Sequence, residues 1–140
     1  MQYIDTSTEG RVFKSQINNL QNIPDNSQVW VQGFVEEILG SSINIKDATG
    51  SVVVLVSANS ATKPGFQVAG LQRGDYVLIS GKLVHRQPYS RIKALKFLNL
   101  TSLSQSPEEV AERAELWKYE VEDAQRACQL IHNTRQQQQR

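Results

Sequence analysis

Five segments of strand character, unevenly spaced, constrain this chain more than any other feature. The first, VWVQGFVEEI over 29–38, is interrupted by Gly33, which reads as a bulge or a sharp bend. The second, SINIKD over 42–47, alternates cleanly with Ile43 and Ile45 inward. Ala48-Thr49-Gly50 makes a tight turn in which Gly50 is available for positive φ. A third strand, SVVVLVS over 51–57, is apolar on both faces. The fourth is GDYVLISGKLV over 74–84, and the fifth is RIKALKFLNLTSL over 91–103. Between the third and fourth lies ANSATKPGFQVAGLQR, long enough for a short helix, with Lys63-Pro64-Gly65 forcing irregular backbone over part of it. Five strands, a glycine-bent first strand and a long third connection describe a mostly β chain folded as a five-stranded OB-fold barrel. An SH3-like barrel or a small sandwich is the alternative.

The flanks are of different character. Residues 1–28 form an N-terminal extension in which Val12, Phe13, Ile17 and Leu20 recur at helical spacing. That spacing predicts a short amphipathic helix before the turn-rich INNLQNIPDNS, with Phe13 and Ile17 capping the bottom of the barrel. The barrel occupies 29–103, a C-terminal helix 106–133, and a polar tail 134–140. The tail ends in QQQQR, a tract expected to fray.

The start of the C-terminal helix is strongly signalled. Ser106 can cap, Pro107 suits the first helical position, and Glu109 completes a capping box. Glu108, Glu109 and Glu112 complement the positive end of the helix dipole. Beyond it, Val110, Ala114, Trp117, Val121, Ala124, Cys128 and Ile131 follow a 3.5-residue repeat, the seam of helix-on-helix packing. Ala114, Ala124 and Cys128 are small enough to let a partner approach around a Trp117 knob. Some 25 helical residues span almost 40 Å, against roughly 15 Å of groove on one small barrel. The length therefore favours a seam that packs on another chain over one that folds back on its own barrel, and an exposed apolar stripe of that kind marks an interface. A self-associating coiled coil satisfies the same pattern.

Composition removes other function classes. At 140 residues the chain is one domain with appendages, and its 39% apolar content with mean hydropathy −0.41 suits a soluble fold with a modest core. No run approaches a membrane span, so no membrane role is expected, and MQYIDTSTEGRVFK has no apolar signal core. Cys128 is the single cysteine, which leaves no disulfide framework and no thiolate zinc site. His85 and His132 stand apart from any carboxylate–nucleophile pair and read as ordinary surface residues. Glu120, Glu122 and Asp123 alternate in direction along a helix and read as a solvated face. No phosphate-binding, dinucleotide, zincin or hydrolase motif occurs, so neither enzymatic activity, a cofactor nor a metal site is expected.

Nucleic-acid binding is the serious rival, because OB barrels commonly hold single strands. The net charge of +1 exerts no global pull, but residues 29–102 carry eight Lys/Arg against four Asp/Glu, and residues 103–140 five against seven. The outer face of the second and third strands offers Ser42, Asn44, Lys46, Val53 and Leu55, one charge and no aromatic, a face suited to protein rather than bases. Possible nucleic-acid contacts cluster instead at HRQPYSRIK, where Arg86, Tyr89, Arg91 and Lys93 adjoin His85. The same stretch also reads as an ordinary solvated hairpin, and any DNA contact there is expected to be weak or indirect.

Two islands taken together resemble one family. Val29-Trp30-Val31-Gln32-Gly33 and Trp117-Lys118-Tyr119-Glu120-Val121-Glu122-Asp123 are similar to the V-W-x-Q-G strand and W-x-x-E-V-E-D helix of the small subunit of the RecQ-mediated genome instability complex. Ala94-Leu95-Lys96 with Leu100 resembles its fifth strand, and Gly74, Tyr76 and Val77 the opening of its fourth. The resemblance implies a nuclear, non-catalytic subunit paired with the C-terminal OB domain of a larger subunit, as in the trimerisation core of replication protein A. Through that partner it works with a RecQ helicase and a type IA topoisomerase to dissolve double Holliday junctions without crossover. By the same resemblance, Trp117 and Val121 would touch the partner's terminal helix, and Lys96 would lie near the interface.

Overall fold

The structure is a computed structural model that describes residues 12–56, 70–86 and 89–138. Its elements are β1 (Val12–Lys14), a 3-10 helix (Ile17–Asn22), β2 (Gln28–Leu39), β3 (Ser42–Asp47), β4 (Gly50–Leu55), β5 (Tyr76–Arg86), β6 (Tyr89–Asn99), α1 (Leu100–Leu103) and α2 (Pro107–Gln138). The strand order β2-β3-β4-β6-β5 closes through a further β2–β5 pairing, giving a five-stranded barrel with β1 added.

Closure depends on β2, which serves two neighbours. Its residues 28–34 pair with β5 and its residues 34–39 with β3, so Phe34 is matched to both Tyr76 and Lys46. The glycine beside that crossing has a steric reason. A Cβ on Gly33 would stand 2.6 Å from the Lys46 carbonyl oxygen, so only a bare backbone lets the two strands approach this closely. The expected bulge itself falls later, between Val35 and Glu37. Inward residues alternate as the sequence leads one to expect: Val29, Val31, Ile43, Ile45, Val54 and Ile92 are fully buried.

The N-terminal segment departs from the expected amphipathic helix. Val12–Lys14 is a parallel strand on the edge of β2 that β3 leaves free, and Ile17–Asn22 is a separate 3-10 helix. A three-residue strand is too short to show a period, so its apolar residues merge with those of the helix that follows. Ile17 and Leu20 are buried in the core, and Phe13 packs at its margin. Asp47 fastens this plug: its carboxylate accepts the backbone N–H groups of Ile17 (2.9 Å), Thr49 (2.7 Å) and Gly50 (3.1 Å). That carboxylate, rather than a positive φ at Gly50, turns β3 into β4. The left-handed glycines of the barrel turns are Gly40, Gly70 and Gly74.

Two further differences concern the C-terminal third. The fifth strand ends at Asn99, whose side chain accepts the Ser102 N–H and starts the short helix α1 where a strand to 103 is expected. The terminal helix runs to Gln138 rather than the low 130s, through most of the polar tract. No glycine or proline follows Pro107, and glutamine and arginine are good helix formers. The short helix expected between the third and fourth strands falls largely outside the described residues.

Candidate protein-interaction surface

The start of α2 is anchored much as its sequence requires. The Ser106 hydroxyl accepts the Glu109 N–H at 3.2 Å, while the Glu109 carboxylate reaches back one residue further than in a standard capping box, to the Gln105 N–H at 2.6 Å. Arg113 secures the same turn by donating to the Ser104 hydroxyl at 3.0 Å and pairing with Glu109 at 3.5 Å. Pro107 and Val110 meet Phe34 and Thr101 around an open cleft of about 490 Å³.

From there α2 crosses the outer face of the barrel, packing against β2 and β1. Residues 29, 31, 33 and 35 of β2 point into the core, which leaves Trp30, Gln32 and Phe34 on the side the helix covers. Lys14 stands at the far edge, 3.7 Å from the Glu120 carboxylate and 5.5 Å from the centre of the Trp30 ring. Phe34 stacks obliquely on Tyr76 at 4.8 Å. Burial pushes the Tyr76 hydroxyl well above the ordinary tyrosine range, and the negative charges of Asp47 and Glu120 add to the shift.

The seam expected to face a foreign chain is therefore seated in part on its own barrel. Trp117 is 4% exposed and Val121 1%, both within a single chain, while Val110, Ala114 and Ala124 are half-buried. This corrects the length argument. The helix is longer than the barrel, but its overhang falls beyond Ala124, not at the Trp117 knob. The side chain of Cys128 lies outside the described residues. The seat is not fully satisfied in polar terms, since Trp117 Nε1 and Gln32 Oε1 are buried without a hydrogen-bond partner.

A second stripe runs along the opposite side of α2. Leu116, Tyr119, Asp123, Ala127 and Leu130 follow spacings of three and four and share one helical face. Leu116 is 60% exposed, Tyr119 53% and Leu130 62%. Asp123 and Ala127 dilute this stripe, so it does not stand out as a heptad seam, although its spacing is present in the sequence. Lys96 is exposed on β6, flanked by exposed Leu95 and Leu98.

Arg86, Arg91 and Lys93 are exposed, as is Tyr89 at 70%. His85, expected to be an ordinary surface residue, is instead a structural tie. Its ring nitrogens meet the Ser90 hydroxyl and the Ile23 carbonyl, each at 2.7 Å, which pins the β5–β6 hairpin to the segment before β2. Its backbone N–H donates to Asp25 and holds that carboxyl below its usual value, with Arg86 adding to the effect. Among the described residues no group of three or more His, Cys, Asp or Glu could hold a metal, and no helix is long and apolar enough to cross a membrane.

The two islands that suggested a family thus meet in space, one on β2 and the other on the helix laid across it. The sequence signature of RecQ-mediated genome instability protein 2 matches residues 3–125. The chain belongs to that family. Solved structures carry the same barrel fold. Telomere capping protein Ten1 from Saccharomyces pombe is similar at TM-score 0.50 and 17% identity, over 75% of this chain and 99% of that one. A chain of a replication protein A heterotrimer bound to single-stranded DNA is similar at TM-score 0.51 and 14% identity, over 77% and 92%. No curated protein matches in a comparison of whole sequences.

Proposed function

We propose that this chain is a non-catalytic subunit that heterodimerises with a larger OB-fold protein. Through that partner it supports a RecQ helicase and a type IA topoisomerase in dissolving double Holliday junctions, a nuclear role in genome stability. The observation that carries the reading is the outer stripe of α2. A helix already seated through Trp117 and Val121 still presents Leu116, Tyr119 and Leu130 to solvent. Large apolar side chains exposed on one face of an otherwise charged helix fit a second helix in ridge-and-groove contact. Family membership and the multi-chain assembly of the replication protein A relative support the same reading. In it the partner's helix lies along the outer stripe and the overhang beyond Ala124, and Lys96 with Leu95 and Leu98 forms a second contact. Trp117 and Val121 then act by holding α2 in place rather than by touching the partner directly.

The test is co-expression with the larger OB-fold subunit, read by native mass. The expected result is a species with the summed mass of both chains that survives purification. Recovery of this chain as a lone monomer from cells containing both would overturn the proposal.

A further inference from the structure

The outer face of α2 carries charge as well as apolar side chains, and much of that charge is unpaired. Residues 107–123 hold seven acids against two bases, Arg113 and Lys118, whereas no acid follows Asp123. Three of the seven are engaged: Glu109 with Arg113, Glu120 with Lys14, and Asp123 with Arg126. The other four, Glu108, Glu112, Glu115 and Glu122, are exposed, and among the described residues none makes an ion pair. Lys118 stands three residues after Glu115 and four before Glu122, yet pairs with neither.

The helix itself explains only part of this. An acid in the first turn gains from the dipole, which accounts for Glu108, but the effect fades before Glu115 and Glu122. Glutamates four apart, such as Glu108 and Glu112, repel and weaken the helix that carries them. Their placement is ordered around the apolar row. Glu112 lies four residues before Leu116, Glu115 four before Tyr119, and Glu122 three after Tyr119, so all share the outer side. Leu116 and Tyr119 are thus bracketed by unpaired negative charge one turn away in each direction. In helix pairs, charges beside the apolar seam choose the partner and its orientation.

From this arrangement we infer that the helix received by the outer face of α2 is cationic, with Lys or Arg set against Glu112, Glu115 and Glu122 around an apolar contact on Leu116 and Tyr119. The inference rests on the reading that a partner helix occupies this face, and it adds the chemistry that helix must carry. A second copy of this chain does not meet the requirement. In parallel pairing each glutamate meets its own counterpart. In antiparallel pairing centred on the contact, Glu112 comes level with Asp123 and Glu115 with Glu120. Past Asp123 the demand for cations ends, because the overhang supplies no acid.

The experiment follows association and dissociation of the full chain with the larger OB-fold subunit by surface plasmon resonance. It is run at about 50 and 200 mM salt, across which exposed charges become screened. The parent's association rate is expected to fall as salt rises, while its dissociation rate changes little. The triple variant Glu112→Gln, Glu115→Gln, Glu122→Gln is expected to bind about tenfold more weakly at low salt, from three exposed pairs of modest strength. It should also lose most of the parent's salt dependence. Its melting temperature should be unchanged or higher, because repelling charges are gone. Replacing the same three glutamates by lysine should weaken binding further. A glutamine variant with the parent's affinity and salt response overturns the inference. If Leu116→Ala with Tyr119→Ala then still weakens the complex, the reading of the face survives without it; if that pair has no effect either, both fall. Tighter binding by the lysine variant would overturn the inference too, in favour of an acidic partner.

Discussion

The two sides of α2 carry similar apolar residues and meet opposite fates. On the inner side, Trp117 and Val121 are closed off by the outer surface of β1 and β2; on the outer side, Leu116 and Tyr119 stand in solvent one residue earlier and two residues later. Local sequence does not separate them, since both stripes follow three- and four-residue spacing. What separates them is that the barrel offers one apolar, aromatic-bearing strip, Trp30–Phe34, and the helix can lay only one stripe on it. The side that wins is the one with the larger side chain. The loser is left in solvent, where the proposed partner would find it.

Substitutions on the two sides should therefore have unlike consequences. Trp117→Ala removes the largest side chain of the inner seat and is expected to cost about 3–5 kcal/mol, read as a drop in the urea midpoint. A loss below about 1 kcal/mol would show the indole to be less committed to the barrel than its burial indicates. The next effect is a pH dependence. Tyr76 holds its proton in the folded chain over a range where the unfolded chain, near its ordinary value of 10, has released it. Stability present below pH 10 is thus expected to fall as pH rises above it, and Tyr76→Phe to flatten that decline. A parent curve that is flat between pH 9 and 11 would contradict the buried setting of Tyr76 against Phe34 and Glu120.

Smaller effects test the ends of the seat. Ser106→Ala removes the cap at the start of α2 and should cost about 1 kcal/mol. Lys14→Ala breaks the half-exposed pair with Glu120 and the contact with the Trp30 ring; a loss of under about 1 kcal/mol, shrinking in high salt, is expected. A larger loss would mean that the far end of the helix is held more by charge than by Val121.

Much of the barrel is legible in the sequence, and for a local reason. Alternation in SINIKD and the doubly apolar SVVVLV reports burial directly, because every second side chain of a half-buried strand must be apolar. What failed was short or contingent. Val12–Lys14 becomes a strand only because β3 leaves that edge of β2 unpaired, a fact settled by residues far along the chain. Gly33 stands out as a break in a strand, but its reason, the Lys46 carbonyl, lies across a register the sequence does not display. Of the α2 seam, Trp117 and Val121 pack on the chain's own barrel, and periodicity shows that a face is covered while staying silent on which body covers it.

The most direct test of the account is the affinity of the larger OB-fold subunit for the double variant Leu116→Glu, Tyr119→Glu, measured by titration calorimetry beside the parent chain. Solvent-facing substitutions should leave unfolding stability within about 0.5 kcal/mol. Removal of two interface anchors should cost at least about 2 kcal/mol of binding, some thirtyfold in Kd. A double variant that binds as tightly as the parent while folding normally would show that the partner does not read the outer face of α2.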